Sequence, residues 1–310
     1  MGQSVNSVIA DIDSLPRLSK ALTLMSQAND ILSSRLRSHV EQVAVERDIY
    51  FNRLNHLAVR EYIREQMSTY GSVYCHRFDV QGESFENLIL DIPGSTANQP
   101  SPILVGAHYD GVMGSPGADD NGSGVAVLLE LGRSLTAHLP PHPIRLVAFD
   151  LEEMGLLGSR AYATHLREQQ ASLRLMLSLE MLGYCDSTAG SQQYPAGLSA
   201  WYPTQGNFIA LVGNVFCIRE MRRLSRTFRQ ANLPCEWLAA GLRGKVVPAT
   251  RRSDHASFWD MGYRAMMVTD TAFLRNPNYH TAGDRPETLD FEFMAKVCVG
   301  LEKGLRSLIF

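Results

Sequence analysis

Several features that define large protein classes are scarce in this sequence. Cysteine is the first: Cys75, Cys185, Cys217, Cys235 and Cys298 are five among 310 residues, scattered and without a CxxC pair. That spacing excludes a thiolate metal site, and an odd, dispersed set does not form a disulfide framework. No run of apolar residues approaches the ~18 needed to span a bilayer. Neither sign of charge dominates, because 29 basic and 32 acidic residues leave only −3. So small an imbalance gives no field that would draw the chain to nucleic acid or to an anionic membrane. Residues 1–30 carry Asp11, Asp13 and Asp30 and no apolar stretch flanked by positive charge, so they do not read as a signal peptide. A soluble, cytoplasmic protein is the expectation. Internal repeats and low-complexity tracts are missing as well.

What is present is a 45% hydrophobic chain long enough to bury a sizeable core. Up to about Tyr70 the apolar residues recur at helical spacing: Leu32, Leu36, Val40 and Val43, then Val59, Ile63 and Met67. We expect an N-terminal helical segment, residues 1–70, packed on a catalytic domain of residues 71–310. Beyond Tyr70 the pattern changes to short apolar runs separated by helical stretches. Strands are predicted at Val73–Val80, Phe85–Ile92, Ile103–Tyr109, Ile144–Phe149, Leu173–Leu179, Phe208–Val212, Glu236–Ala239 and Arg264–Thr269. Helices are predicted at Gly122–Ala137, Leu156–Glu168 and Arg219–Gln230, with a last one carrying Phe293, Val297, Leu301, Leu305 and Ile309 on one stripe. This alternation predicts an α/β fold of three layers, with helices on both faces of a mostly parallel mixed sheet.

In such sheets ligands bind beyond the carboxyl ends of the strands, and the metal-capable residues fall there. The run ILVGA leads into His108-Tyr109-Asp110, and residues two apart in a strand face the same way. An imidazole ligand with a carboxylate holding or orienting it needs that spacing. Next comes GADDNGSG, 117–124, where adjacent aspartates repel each other unless a cation compensates them. A solvated turn capped by Asn121 or Ser123 explains the Asn and Ser but not the paired acids. After the strand IRLVA stand Glu152 and Glu153. There one carboxylate can bind metal while its neighbour holds a proton from water, provided Gly155 and Gly158 bend the chain and let the following helix approach closely; an ordinary helix N-terminus also favours such acids. Glu180 closes the apolar run LRLMLSL, and His280 sits in the loop NPNYHTAGD. A lone carboxylate ending a buried strand is costly unless paired or metal-bound. Two histidines and three carboxylates make a two-metal site, and imidazole with carboxylate favours zinc, with manganese or cobalt also compatible.

Taken together, AHYD (107–110), GADDNGSG (117–124), DLEEMGLLGS (150–159), SLEMLGY (178–184), SDHASF (253–258) and NPNYHTAGD (276–284) resemble the co-catalytic zinc aminopeptidases, metallopeptidase family twenty-eight. Glutamate carboxypeptidase, the transferrin receptor ectodomain and glutaminyl cyclase share that family. The motifs keep the family's order and cover roughly residues 85–290. The resemblance implies a zinc-exopeptidase-like fold, peptide substrates and two Zn2+ ions. It implies His108 and Glu180 on one ion, Glu153 and His280 on the other, and Asp120 between them. Asp110 would support His108, Glu152 would be the general base, and Tyr279 would donate to the oxyanion. Asp254 and His255 match a motif that lines the site. Many aminopeptidases of the family carry aspartate where Glu180 stands here, which bears on affinity and specificity and not on reaction class.

Two other functions fit the same motifs: a single-zinc, glutaminyl-cyclase-like aminoacyltransferase, and a non-catalytic binding protein on the same fold. Among the remaining features, Arg219, Arg222, Arg223, Arg226 and Arg229 share a helix with Met221, Leu224 and Phe228 and read as a solvated amphipathic face. The basic stretch RGKVVPATRR (243–252) leads into SDHASF, so Arg251 is a candidate for holding a substrate carboxylate. Trp201, Tyr202, Phe258 and Trp259 are candidates for a specificity pocket or for core packing.

Overall fold

The computed structural model describes residues 26–96 and 100–308. The Asp11 and Asp13 region, the first part of the N-terminal segment and Ile309 of the C-terminal stripe lie outside the described residues. A helix over residues 26–43 (α1) is followed by a loop at 44–52 and by α2, Arg53–Ser68. Then come β1 (Val73–Val80), β2 (Glu83–Ile92), β3 (Ile103–His108), α3 (Gly124–Ala137), β4 (Ile144–Phe149), α4 (Leu157–Glu168) and β5 (Leu175–Glu180). The chain closes with β6 (Ile209–Asn214), α5 (Ile218–Gln230), β7 (Cys235–Ala240), α6 (His255–Asp260), β8 (Ala265–Thr269) and α7 (Phe291–Ser307).

One eight-stranded sheet runs in the order β1-β2-β4-β3-β5-β8-β6-β7. Strands β4, β3, β5 and β8 are mutually parallel. Antiparallel pairings of β1 with β2, β2 with β4 and β6 with β8 make the sheet mixed. The central strands are buried on both faces and so read as unbroken apolar runs. Alternation then sorts their side chains: Val105, Leu146 and Leu177 enter the core under α1, α2, α3, α5 and α7. Their neighbours Leu104, Val147 and Met176 face the core under α4 and α6, with Phe258 and Trp259. Each such side chain, fully buried, stabilises the layers by roughly 1.5–3 kcal/mol. Helices α5 and α7 touch where Gly300 lies under the Phe228 ring, too close to admit a Cβ.

Helices α1 and α2 share the α3 and α7 core through Leu36, Val40 and Ile63, and Arg35 binds Glu130 of α3 at 3.0 Å. Two expectations need adjustment. The helix predicted from Gly122 starts at Gly124, because Ala118–Ser123 forms a π-type turn that carries the aspartate pair. His255–Asp260 is a helix that the sequence reading did not anticipate, being only six residues long. Among the described residues, no helix is long and apolar enough to cross a membrane.

Candidate metal centre

His108, Glu180 and the loop after Phe149 stand at the carboxyl ends of β3, β5 and β4. Asp120 arrives on the π-type turn and His280 on the loop before α7. His280 and Leu151 both take left-handed backbone angles, φ 58 and 54, a conformation that a non-glycine residue keeps only when its surroundings hold it. Leu151 shares the turn after β4 with Gly155, whose φ of 94 is also positive as its expected part in the bend requires. Gly158 gives the close approach expected of it, since a Cβ there would collide with the Asp150 carbonyl.

These side chains converge. His108 Nε2 lies 3.3 Å from Asp120 Oδ1 and 3.7 Å from Glu180 Oε1. On the other side His280 Nε2 lies 3.0 Å from Asp120 Oδ2 and 3.4 Å from Glu153 Oε1. The two oxygens of one carboxylate therefore face two separate N/O donor groups, His108–Asp120–Glu180 and Asp120–Glu153–His280. His108 Nε2, Asp120 Oδ1, Glu153 Oε1 and His280 Nε2 are all buried without a hydrogen-bond partner. Atoms this close that do not bond one another, and have nothing else to bond, could hold a cation between them. The residues fit a metal centre of nitrogen and oxygen ligands.

The charge distribution agrees. Burial alone would lower the His280 imidazole, yet the Asp120 and Glu153 carboxylates outweigh it and push it up to about 10. Burial, with Asp120 close by, lifts Glu153 to about 7. Asp120 is also pushed up by burial, but the two imidazoles pull it below the ordinary carboxylate range. A pocket that binds protons this avidly on imidazole is one that attracts positive charge.

Around these side chains stands a shell of fixed partners. Asp110 accepts from the backbone N–H of Glu152 at 3.0 Å and of Glu153 at 3.1 Å, and its Oδ1 is 3.3 Å from His108 Nδ1. It thus ties the β3 histidine to the β4 acids. Glu180 turns Oε1 to His108 and accepts from Ser253 Oγ through Oε2 at 2.7 Å. Glu152 is held well above the usual carboxylate range by burial, opposed by His108 and reinforced by Glu180, Glu153 and Asp254. Asp254 is fully buried with neither oxygen hydrogen-bonded, and burial raises it to about 7.

The other candidates sort as follows. Tyr279 stacks on the His280 ring at 3.7 Å between centroids. His255 is buried behind the site, its Nε2 on the Thr250 carbonyl and its ring edge-on to Trp259. Arg251 is a correction: it donates to the Arg243 carbonyl and to Asp260 and does not line the cleft beside Glu180. Arg252 lines that cleft instead and donates to the Tyr279 hydroxyl at 3.3 Å. The cleft is walled by Leu198, Phe208, Val212, Trp237 and Met267, with Tyr202 among them. Phe258 and Trp259 are core residues and Trp201 is exposed.

Three contributors escaped the sequence reading. Asp284 accepts from the backbone N–H of Asp119 at 2.8 Å and of Asp120 at 3.0 Å. His56 of α2 meets Asp150 at 2.7 Å, just before the glutamate pair. Arg47, in the loop between α1 and α2, is wholly buried against the aspartate loop. Asp284 ends the stretch NPNYHTAGD and was within reach of the motif argument; nothing in the local sequence marks the other two.

The described residues thus combine a three-layer α/β sheet with paired histidine and carboxylate donors at the carboxyl edge of its central strands. The model of Peptidase family M28 matches residues 87–298, and the chain belongs to this family. Uncharacterized protein YfbL of Escherichia coli is 36% identical over 255 residues, 78% of this chain and 77% of that one. Leucine aminopeptidase 1 of Ajellomyces capsulatus is 28% identical over 235 residues, 69% of this chain but only 54% of that protein. The chain thus spans about half the length of that fungal relative. Among solved structures, the LapA aminopeptidase of Legionella pneumophila aligns over 91% of this chain and 74% of its own, at TM-score 0.69 and 19% identity. BSAP, a zinc aminopeptidase from Bacillus subtilis, aligns over 72% of this chain and 50% of its own, at TM-score 0.52 and 25% identity. A glutaminyl cyclase of Bacteroides thetaiotaomicron aligns over 91% of this chain and 98% of its own, at TM-score 0.64 and 15% identity. The first and last of these structures share the fold.

Proposed function

We propose that the protein is a two-zinc aminopeptidase that removes N-terminal residues from peptides. The observation that carries this reading is the placement of Asp120, one oxygen toward His108 and the other toward His280. His108 and Glu180 would hold one ion, Glu153 and His280 the other, with Asp120 shared. Ions bound there supply a polarised scissile carbonyl and an acidified water.

The rest of the chemistry belongs to the chain. Glu152, kept basic enough by its buried, acid-rich surroundings, takes the proton of the attacking water and passes it to the leaving amine. Asp110 fixes the backbone on which Glu152 is carried. Tyr279, beside His280 and with its hydroxyl oriented by Arg252, donates to the developing oxyanion. The apolar cleft beside Glu180 receives the N-terminal side chain and excludes water from it.

Single-zinc cyclisation of N-terminal glutamine is the second reading, supported by His108, Asp120 and Glu180, which by themselves form one group able to hold a single ion. One experiment separates the two. Purified protein is analysed for zinc and assayed on a panel of aminoacyl arylamides and on glutaminyl peptides, with and without chelator. Two zinc ions per chain with chelator-sensitive release of the arylamine supports the aminopeptidase; one ion with pyroglutamyl product and no cleavage rules it out.

A further inference from the structure

Arg47 lies upstream of residue 87, where the family match begins, in the loop between α1 and α2. It is 0% exposed, and no carboxylate comes within ion-pairing distance of it among the described residues. All its bonds go to backbone carbonyls. Nε donates to Tyr109 at 2.8 Å, and Nη1 donates to Pro116 at 2.6 Å, Val43 at 3.0 Å and Val45 at 3.2 Å. Nη2 donates to Gly117 at 3.0 Å and to Asp120 itself at 3.2 Å. The fork therefore joins three pieces: the end of α1, the residue between His108 and Asp110, and the entry and middle of the turn that presents Asp120.

The surrounding sequence is shaped to admit it. A Cβ at Gly111 would come within 3.2 Å of Arg47 Cγ; one at Gly117, where φ is 62 and the Asp120 carbonyl already demands glycine, would also come within 2.9 Å of both guanidinium Nη atoms. Asp48, next in sequence, anchors the loop by accepting from the N–H groups of Tyr50 and Phe51. A buried cation lacking an ion pair is costly, and the compensating charges are the nearby carboxylates Asp120, Asp110, Asp284 and Glu153. Its positive charge by itself repels a metal ion; what favours the ion is the rigid planar fork that fixes where Asp120 points.

We infer that Arg47 is a positioning residue of the metal centre, which sets metal retention by clamping the Asp120 turn to the helical segment ahead of the α/β domain. The inference rests on the metal-centre reading above. Its test is zinc affinity, measured by competition with a chromophoric chelator on the full chain for wild type, Arg47→Lys and Arg47→Met. Lysine keeps the charge and length but not the planar fork. Zinc binding should weaken about 10-fold in Arg47→Lys and further in Arg47→Met, within the ~10–100-fold range for partners that orient metal ligands. The melting-temperature gap between zinc-saturated and chelator-treated protein should narrow in parallel. A purely structural role would lower both melts equally and leave zinc affinity unchanged, and that result overturns the inference. Should Arg47→Met fail to fold, Arg47→Lys decides. If wild type itself binds no zinc, the metal-centre reading falls first.

Discussion

Replacing Asp110 by asparagine probes how the centre is organised with the least change in shape. Both carboxylate oxygens of Asp110 are in use, one on the Glu152 N–H and one on the Glu153 N–H, and Oδ1 also faces His108 Nδ1. An asparagine keeps one acceptor and presents an NH2 where the other was, so one backbone N–H meets a donor in a buried setting. Hydrogen bonds to a charged group are worth about 1.5–3 kcal/mol each, and an unsatisfied buried donor costs a further ~1–3 kcal/mol. Most of that loss falls on the geometry of residues 152–153 and His108, because Asp110 is 2% exposed and has no slack. We expect zinc affinity to fall about 10–100-fold, equivalent to about 1.4–2.7 kcal/mol. With zinc saturating, kcat should still be depressed through misplaced Glu152. Chelator competition followed by kcat/KM at saturating zinc measures both, with far-UV circular dichroism as the folding control. An Asp110→Asn protein that binds zinc and turns over like wild type would refute the reasoning.

Glu152→Gln should keep its metal content and lose about 10²–10⁴-fold in kcat, as read by zinc analysis beside arylamide turnover; full activity would remove Glu152 as the base. Tyr279→Phe should lower kcat with little change in KM, since an oxyanion donor acts in the transition state. Steady-state kinetics in which only KM rises would assign it to substrate binding instead. Glu130 predicts a pH dependence of stability. Burial pushes its carboxyl up, but His39, Arg35 and Arg133 together pull it to about 2 from an ordinary 4.5. A depressed folded pKa stabilises the protein above about 4.5 and ceases to do so as pH falls toward about 2. Allowing for the exposure of Arg35 and Arg133, the contribution is about 1–2 kcal/mol. Glu130→Gln should therefore melt lower than wild type at pH 7, with the gap closing as the pH is taken below 4.5; a gap independent of pH would contradict the assignment.

The sequence was most informative where chemistry and chain direction coincide. His108 and Glu180 end apolar runs that could only be buried strands, and their polarity at that point announces a site. Asp120 was legible as half of an acidic pair, although its other half, Asp119, accepts from the Gly183 N–H and the Asn276 amide and belongs to neither donor group. Boundaries were less legible where tertiary contacts override local preference: the π-type turn at Ala118–Ser123 takes two residues from a helix that propensity alone would start at Gly122. Leu151 adopts a left-handed angle that a leucine's own preference does not predict. Arg251 and Arg252 are adjacent and chemically identical, and only the fold decides that one meets Asp260 and the other the cleft. Arg47 and His56 were invisible because their partners, the backbone of the Asp120 turn and the Asp150 carboxylate, are distant in sequence. Motif spacing singles out the candidate ligands that the fold brings together; it does not read the groups that hold their loops still.

The claim on which the functional account turns is that Asp120 is shared between two bound ions. Crystals of the zinc-loaded protein, measured at the zinc absorption edge, locate the ions by anomalous scattering without reference to activity. The account predicts two peaks flanking Asp120, one against His108 and Glu180 and the other against Glu153 and His280. A single peak, or a pair in which either ion lies away from Asp120, would contradict it.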